Sequence, residues 1–270
     1  ITANRAQSVQ LVNVAEAGLR EAEFRFYGPG NLADKLNANP DNCNTNNTLK
    51  SNGQLATQGF DDHVKLILPQ AGRELPALPV LLDGRPTFVE DERPTLRDYT
   101  PLRYDAARQN LIMDFALHDA GPATEWALTA PLGQWVGLAG PRGSLVISAN
   151  LPWHWLFGDE TAMPAIERRL AELPAGSRAV VRVQLRNPQD QRTLASAAQL
   201  DVAWVNSLTE AAQALAVPAG PGYIWAAGEH HDMAALRGVL TTKPGVDAKR
   251  MRIAAYWKRG EADHHENLTA

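Results

Sequence analysis

Short apolar runs separated by glycine and proline clusters dominate the first half of the chain. Runs rich in β-branched and aromatic residues and bounded by such clusters predict β-strands. We therefore expect strands over Val9–Val14, Phe24–Tyr27, Val64–Leu68, Leu111–Leu117 and Trp135–Ala139. Several short strands with this punctuation predict a β-barrel or a β-sandwich.

The pattern changes near Pro152, after which apolar runs alternate with segments of helical spacing. Strands that alternate with helices predict a parallel α/β sheet. The expected strands are His154–Phe157, Ala179–Leu185, Val202–Val205, Tyr223–Ala227 and Arg250–Trp257, and the expected helices start near Pro164, Leu208 and Met233.

The first of these helices has a clear apolar face. Met163, Ile166, Leu170 and Leu173 recur at the spacing of one helix face, so we expect them to be buried. Arg169 falls between them and is expected to point away from that face.

Two domains are therefore predicted, with bounds 1–149 and 150–270, the second ending in a C-terminal tail. The first would carry an insertion near residues 31–58, which is rich in asparagine and poor in apolar side chains. Such a composition cannot bury much surface, so we expect an exposed loop there.

Composition narrows the classes of function. The 270 residues carry a net charge of −4 with a pI near 6.0, whereas a general nucleic-acid binder would be more basic, so we expect no nucleic-acid partner. The single cysteine, Cys43, excludes an intrachain disulfide and a thiolate metal site built by this chain alone. No apolar run approaches the roughly 18 residues that span a bilayer. We expect a cytoplasmic protein without stable membrane insertion, and we favour a monomer.

Several common site signatures are missing from the sequence. There is no G-x-G-x-x-G, no G-x-x-x-x-G-K-[ST] and no G-x-S-x-G, which disfavours a Rossmann dehydrogenase, a P-loop NTPase and a serine hydrolase. The pairs His230-His231 and His264-His265 do not have chelating spacing, because neighbouring side chains diverge on a helix or a strand. We therefore expect no protein-bound metal ion.

A candidate flavin site begins with Arg97-Asp98-Tyr99-Thr100. On a strand, Arg97 and Tyr99 share a face, where a guanidinium suits phosphate and an aromatic ring suits an isoalloxazine. Thr100 adds a hydroxyl and a backbone N–H one residue further on. Taken alone, the same four residues also fit an ordinary strand with an exposed arginine.

A second candidate segment opens a helix at Gly121-Pro122-Ala123-Thr124. Proline near a helix start, with free N–H groups beside it, predicts an anion site suited to a pyrophosphate. An ordinary strand–turn–helix with a core tryptophan explains the segment equally simply.

The turn after the His154–Phe157 strand carries Asp159, Glu160 and Thr161. Ligands of open α/β sheets bind at the carboxyl ends of strands, so this turn is placed for a nucleotide. Helix capping by Asp159 or Thr161 explains these residues as well. Arg186 ends the next strand, where a cation would recognise a 2′-phosphate and so favour NADPH over NADH.

Several motifs in order resemble the siderophore-interacting protein family, flavin-dependent ferric-siderophore reductases of the ferredoxin-reductase superfamily. The resemblance spans roughly residues 9–263. It rests on Gly59-Phe60-Asp61-Asp62-His63-Val64-Lys65-Leu66, Arg97-Asp98-Tyr99-Thr100-Pro101-Leu102, Asp114 to Ala127, Gly140 to Leu145, Asp159 to Ala165, Trp225 to Glu229 and Tyr256-Trp257. The chain departs from the family in the asparagine-rich insertion and in Ala255, where glycine is usual before Tyr-Trp.

The resemblance implies an N-terminal antiparallel Greek-key β-barrel that binds FAD, followed by a parallel-sheet α/β domain that binds NAD(P)H. The implied flavin contacts are Arg97, Tyr99, Thr100, His118, Ala123 and Thr124, and the implied nucleotide contacts are Asp159, Thr161, Arg186 and Glu229. A basic triad of Lys65, Arg142 and Arg252 is implied to bind the substrate.

The expected function is reduction of Fe(III) in a ferric siderophore, with FAD as cofactor and NADPH as donor, NADH remaining an alternative. Electrons pass to iron that the siderophore already encloses, so no catalytic side chain and no protein ligand to iron is expected. Two other functions stay open at this point: a carrier of ferric siderophore without turnover, and a general flavin-dependent reductase.

Overall fold

The computed structural model describes residues 8–10, 59–82, 85–88, 93–105, 110–116, 121–131, 134–139, 145–261 and 263–268. The chain divides into two compact units, Gln7–Val146 and Ile147–Ala270. The asparagine-rich stretch, the strand expected at 24–27, His118 and Arg142 lie outside the described residues.

Where the structure describes it, the first unit contains short antiparallel strands and one helix. Its elements are β1 (Ser8–Gln10), β2 (Val64–Leu68), β3 (Val80–Leu82), β4 (Arg85–Thr87), β5 (Thr95–Tyr99), β6 (Arg103–Asp105), β7 (Asn110–Asp114), α1 (Pro122–Thr129) and β8 (Gly137–Ala139). Strand β7 ends three residues before its expected end at Leu117. Strand β8 starts two residues after its expected start at Trp135. The described strands pair as β1-β7-β6, β5-β2-β8 and β3-β4, so a closed barrel is not confirmed.

The second unit is built around one six-stranded sheet. Its elements are β9 (Trp153–Asp159), α2 (Met163–Glu172), β10 (Arg178–Gln184), β11 (Gln199–Val205), α3 (Leu208–Ala214), β12 (Gly222–Glu229), α4 (His230–Thr242), β13 (Met251–Trp257) and β14 (Glu266–Asn267). The order is β11-β10-β9-β12-β13-β14, parallel except for β14, which runs antiparallel to β13. The predicted parallel α/β sheet is confirmed for this unit.

The two central strands of this sheet explain its stability. Every residue of β9 and of β12 is buried, as expected for parallel strands covered on both faces by helices. Trp153, Trp155 and Phe157 of β9 pack in one core cluster with Leu236 and Leu240 of α4.

Helix α2 departs from the prediction at one position. Ile166 and Leu170 are fully buried as expected, but Arg169 is also only 1% exposed. Its guanidinium donates hydrogen bonds to the carbonyl oxygens of Ile147 (2.9 Å) and Ser148 (2.7 Å), and it pairs with Glu172 at 3.1 Å. A buried guanidinium is stable only with such partners. Arg169 therefore fastens the start of this unit to α2.

None of the helices that the structure describes has the length and apolar character needed to cross a bilayer.

Candidate functional site

Asp159, the last residue of β9, connects three strand ends at the carboxyl edge of the sheet. Its Oδ1 accepts hydrogen bonds from the backbone N–H (2.9 Å) and the hydroxyl (2.5 Å) of Thr161. Its Oδ2 accepts from the backbone N–H of Glu229 (2.9 Å) and from Nε1 of Trp257 (2.8 Å). Burial raises the pKa of this carboxyl, while the four hydrogen bonds act to lower it. Asp159 therefore organises the edge, and it also caps the short 3₁₀ turn at Glu160–Ala162.

Glycines on both sides allow this close packing. A Cβ at Gly228 would lie 2.7 Å from Oδ2 of Asp159, and one at Gly158 would lie 2.8 Å from the carbonyl oxygen of Ala227. A side chain at Gly228 would displace the carboxylate of Asp159, and one at Gly158 would press on the backbone of β12.

Glu229 ends β12 and caps α4. Its carboxylate accepts hydrogen bonds from the backbone N–H groups of His231 (2.6 Å), Asp232 (3.3 Å) and Arg259 (3.2 Å), and its Oε1 lies 3.1 Å from Nδ1 of His231. Burial acts to raise the pKa of Glu229, but these hydrogen bonds outweigh it and lower the pKa to about 2. Glu229 is therefore a fixed negative charge at the helix start.

Arg186 follows β10 and lies over the indole of Trp257, with its guanidinium carbon 4.6 Å from the ring centroid. Its Nε pairs with Oε1 of Glu160 at 3.2 Å. Burial and the charge of Asp159 raise the pKa of Glu160, and the Arg186 charge acts against them. The other carboxylate oxygen of Glu160 is buried and accepts no hydrogen bond. This edge thus presents a stacked cation and an unsatisfied acceptor.

All four nucleotide-site residues expected from the sequence, Asp159, Thr161, Arg186 and Glu229, lie along this one edge. Asp159 and Glu229 direct their oxygens into the fold. Trp257, the partner of both Asp159 and Arg186, was not expected from the sequence. The one signal for it was the Tyr-Trp pair at the end of the last long strand.

In the first unit, three aromatic rings connect β5 to α1. The ring of Tyr99 lies 4.5 Å from that of Phe115, which lies 5.9 Å from that of Trp126. Burial raises the pKa of Tyr99 to about 12, with the Arg97 charge acting against it. Strand register pairs Arg97 with Leu66 and Tyr99 with Val64, so Arg97 and Tyr99 share the expected face. Thr100 is buried next to them, and Arg97 Nη1 donates to the carbonyl of Leu96 at 2.7 Å.

The start of α1 offers hydrogen-bond donors from the backbone. Its N-cap, Gly121, supplies no side-chain hydrogen bond, and Pro122 occupies the first turn. Ala123 and Thr124 are buried there, and the first N–H groups of a helix have no partner inside it. Nε1 of Trp126 is a buried donor without a hydrogen-bond partner. A dinucleotide phosphate fits the free backbone N–H groups at this helix start.

The implied substrate residues are described only in part. Lys65 of β2 pairs with Asp98 of β5 at 3.0 Å, and the two side chains are 34% and 21% exposed. Arg252 lies in β13 and is half-buried. The convergence of these residues with Arg142 stays a prediction.

The described residues form an antiparallel β unit followed by an α/β unit, with a charged and aromatic edge at the carboxyl ends of the parallel strands. A solved structure of an NADH-dependent reduced ferredoxin–NADP oxidoreductase matches with a TM-score of 0.52 at 14% identity. The match covers 73% of this chain and 65% of that one, and at this identity it shows the fold alone.

Comparison with protein families identifies the chain more specifically than the fold does. Residues 48–145 match the siderophore-interacting FAD-binding domain, and residues 151–260 match the siderophore-interacting protein family. The NADPH-dependent ferric-chelate reductase of Escherichia coli strain K12 is 35% identical over 208 residues, 74% of this chain and 81% of that protein. A siderophore utilization protein from T. fusca has a TM-score of 0.69 at 30% identity, covering 81% of this chain and 87% of that one. This chain belongs to the siderophore-interacting protein family.

Proposed function

We propose that this protein is an FAD-containing, NADPH-dependent reductase of Fe(III) in ferric siderophores. The observation that carries the proposal is the paired match: an FAD-binding domain at 48–145 together with similarity to an NADPH-dependent ferric-chelate reductase over most of the chain. The sheet edge of the second unit supports it further, because Arg186 lies there on the ring of Trp257, at the carboxyl ends of the parallel strands where nucleotides bind. We assign residues 1–149 to an FAD-binding barrel domain and residues 150–270 to an NAD(P)H-binding domain.

In the FAD domain, Arg97 binds phosphate, Tyr99 packs on the flavin, and Thr100 offers its hydroxyl and N–H to the ring. The hydroxyl of Tyr99, like that of any tyrosine, is neutral in the physiological range and can donate a hydrogen bond without adding charge. His118, Ala123 and Thr124 bind the adenine-dinucleotide side, where the start of α1 supplies backbone N–H donors.

Bound FAD would supply the redox chemistry, namely acceptance of a hydride from NADPH and one-electron transfer to each of two Fe(III) ions. The protein's part is to bind and orient. Arg186 is held by Glu160 through Nε, so its two Nη groups are the ones that bind the 2′-phosphate. The indole of Trp257 lies against the guanidinium of Arg186, and Asp159 holds that indole through its Nε1.

Lys65, Arg142 and Arg252 bind the ferric siderophore. Many ferric siderophores are anionic, and three cations raise the local concentration of such a substrate in a protein of net charge −4. Iron reduced to Fe(II) is held far more weakly by the hard oxygen donors of the siderophore and is released.

Anaerobic stopped-flow absorption tests the proposal. NADPH should bleach the flavin, and a ferric siderophore should then restore its absorption with formation of Fe(II). A flavin that NADPH bleaches but ferric siderophore does not reoxidise would leave a carrier without turnover. Equal reoxidation by quinones and by ferric siderophores would instead indicate a general flavin reductase.

A further inference from the structure

The C-terminal segment packs beside the start of α4. Strand β14 pairs with β13, where Ala255 opposes Glu266, and the backbone N–H of Leu268 donates to the carbonyl of Ile253 at 2.8 Å. The side chain of Leu268 packs against the main core cluster of this unit. Residues 264–266 are therefore anchored in place, although the sequence predicted only a tail.

This packing brings three potential metal ligands together. A ring nitrogen of His230, a ring nitrogen of His264 and a carboxylate oxygen of Glu266 all lie within 4.8 Å of one another. The rings of His230 and His264 are 5.2 Å apart and nearly perpendicular, at 88°. The two histidines within each adjacent pair diverge, which is why the sequence predicted no metal site. This cluster instead combines one histidine from each pair.

Two of the distances between these atoms are close to those in a coordination shell. Oε2 of Glu266 lies 3.3 Å from Nδ1 of His230 and 3.7 Å from Nε2 of His264. Two ligand atoms in a tetrahedral zinc site with bonds of about 2.0–2.2 Å are separated by roughly 3.3–3.6 Å. Both ring nitrogens are buried, and neither forms a hydrogen bond. Buried polar atoms that converge on one carboxylate oxygen without bonding to it are the arrangement that an ion between them would satisfy.

A second carboxylate orients one of the ligands. Oε2 of Glu261 lies 3.2 Å from Nδ1 of His264, and the other oxygen of Glu261 pairs with Lys258. A hydrogen on Nδ1 that faces a carboxylate leaves the lone pair of Nε2 directed at Glu266. Metal-binding histidines commonly have this carboxylate on their other nitrogen, which fixes the tautomer and strengthens the ligand.

We propose that His230, His264 and Glu266 bind a divalent zinc ion, with Glu261 as the positioning residue. Two neutral imidazoles and one carboxylate are a ligand set that zinc accepts. The carboxylate of Glu266 is 49% exposed, which leaves room for water as the fourth ligand. The ion joins the C-terminal strand to the first turn of α4, next to the cap residue Glu229. This site does not depend on the proposed reductase activity.

Calorimetric titration of the full-length, flavin-loaded protein with Zn²⁺ tests the site, using protein without a histidine tag, dialysed against a chelator and then freed of it. We expect one zinc per chain, confirmed by elemental analysis. Glu261→Gln should weaken binding about 10–100-fold, the usual effect of losing a carboxylate behind a histidine ligand. Glu266→Gln and His230→Ala, which remove ligands, should weaken it further.

His265→Ala is the matched control. His265 is the histidine adjacent to the proposed ligand His264, and it stacks on the ring of Tyr256 instead. The His265→Ala variant should bind zinc as tightly as the unmodified protein does. Flavin content and circular dichroism show that each variant is folded, and Glu266→Gln is the change least able to disturb the backbone.

Zinc binding that is equally tight in Glu266→Gln and His230→Ala would overturn the proposal, as would failure of the unmodified protein to retain one equivalent. Preferential retention of Fe²⁺ when both ions are present at equal free concentration would overturn the assignment to zinc.

Discussion

Nε1 of Trp257 donates a 2.8 Å hydrogen bond to Oδ2 of Asp159, across 98 positions of sequence. The two residues end β13 and β9, which are separated in the sheet by β12. The same Oδ2 accepts from the backbone of Glu229 at the end of β12, so one carboxylate oxygen holds three strand ends together. The bond also fixes the indole on which Arg186 lies.

We predict that Asp159→Asn lowers the free energy of unfolding by about 2–4 kcal/mol. The amide NH₂ of asparagine would face hydrogen-bond donors where a carboxylate oxygen now accepts. Each buried donor that is left unsatisfied costs about 1–3 kcal/mol. Urea denaturation followed by tryptophan fluorescence measures the change. Asp201→Asn is the control, since its carboxylate is 57% exposed in a surface pair with Arg182, worth at most about 1 kcal/mol. Equal losses in the two variants would contradict the role given to Asp159.

We predict that Arg186→Ala raises the KM for NADPH at least tenfold and changes the KM for NADH much less, because only NADPH carries the 2′-phosphate that Arg186 would bind. Steady-state kinetics with both nucleotides and one ferric chelate give the ratio. Arg237→Ala removes an exposed cation from α4 and should affect neither KM. If Arg186→Ala raises both values equally, Arg186 does not read the 2′-phosphate.

The sequence predicted the five parallel strands and the three α-helices of the second unit, but not β14, because the parallel strands are apolar runs and the helices keep a clear periodicity. It misplaced Arg169 because hydrophobic spacing treats every charge as solvent-facing, whereas the carbonyls of Ile147 and Ser148 satisfy this one in the interior.

At the site, position relative to strand ends predicted Asp159 and Arg186, since the carboxyl ends of parallel strands meet at one edge. Trp257 and the trio His230, His264 and Glu266 could not be predicted this way. Their contacts depend on how β13 and β14 return along the sheet, which local patterns do not encode.

We predict that Tyr99→Ala weakens FAD binding about ten- to a hundredfold, equivalent to about 1–3 kcal/mol, through loss of ring contact. Tyr99→Phe should retain most of the affinity, because it keeps the ring and its packing on Phe115. Arg97→Ala should cause a loss similar to that of Tyr99→Ala through loss of phosphate pairing. Flavin release on dilution, followed by fluorescence, measures all three. Full flavin retention by Tyr99→Ala and Arg97→Ala would remove these residues from the flavin site.

A pH dependence of stability follows from His154, which is fully buried in β9. Burial, assisted by the charge of Arg169, lowers the pKa of His154 from 6.5 to about 4. His154 therefore binds a proton below about pH 6.5 in the unfolded chain, but only below about pH 4 in the folded chain. The contribution of neutral, buried His154 to the free energy of unfolding is fully present above pH 6.5. It decreases as the pH falls toward 4, by up to about 3 kcal/mol.

The variant His154→Leu isolates this contribution because leucine is apolar and does not titrate. Between pH 6.5 and 4, its free energy of unfolding should fall less steeply than that of the unmodified protein in urea denaturation. Parallel curves would show that another group carries the pH dependence.

The basic triad of Lys65, Arg142 and Arg252 leads to a prediction about the acceptor substrate. As a compact charge, Lys65 suits a rounded anionic complex, and the two arginines can pair with carboxylate or catecholate oxygens in a forked geometry. The pairing of Lys65 with Asp98 fixes the position of its ammonium group.

We predict that the triple alanine variant of this triad has a raised KM for an anionic ferric siderophore, and that its KM rises less steeply with ionic strength than that of the unmodified protein, because fewer charges remain for salt to screen. Its flavin content and anaerobic reduction by NADPH should stay normal, since these side chains act only on the acceptor. The control replaces the exposed cations Arg73, Arg237 and Lys249 by alanine, which changes the net charge by the same amount. A purely long-range effect of net charge would raise KM equally in both variants, whereas a pocket raises it only in the triad variant. Reduction of the anionic ferric siderophore at the unmodified rate by the triad variant would place the substrate elsewhere.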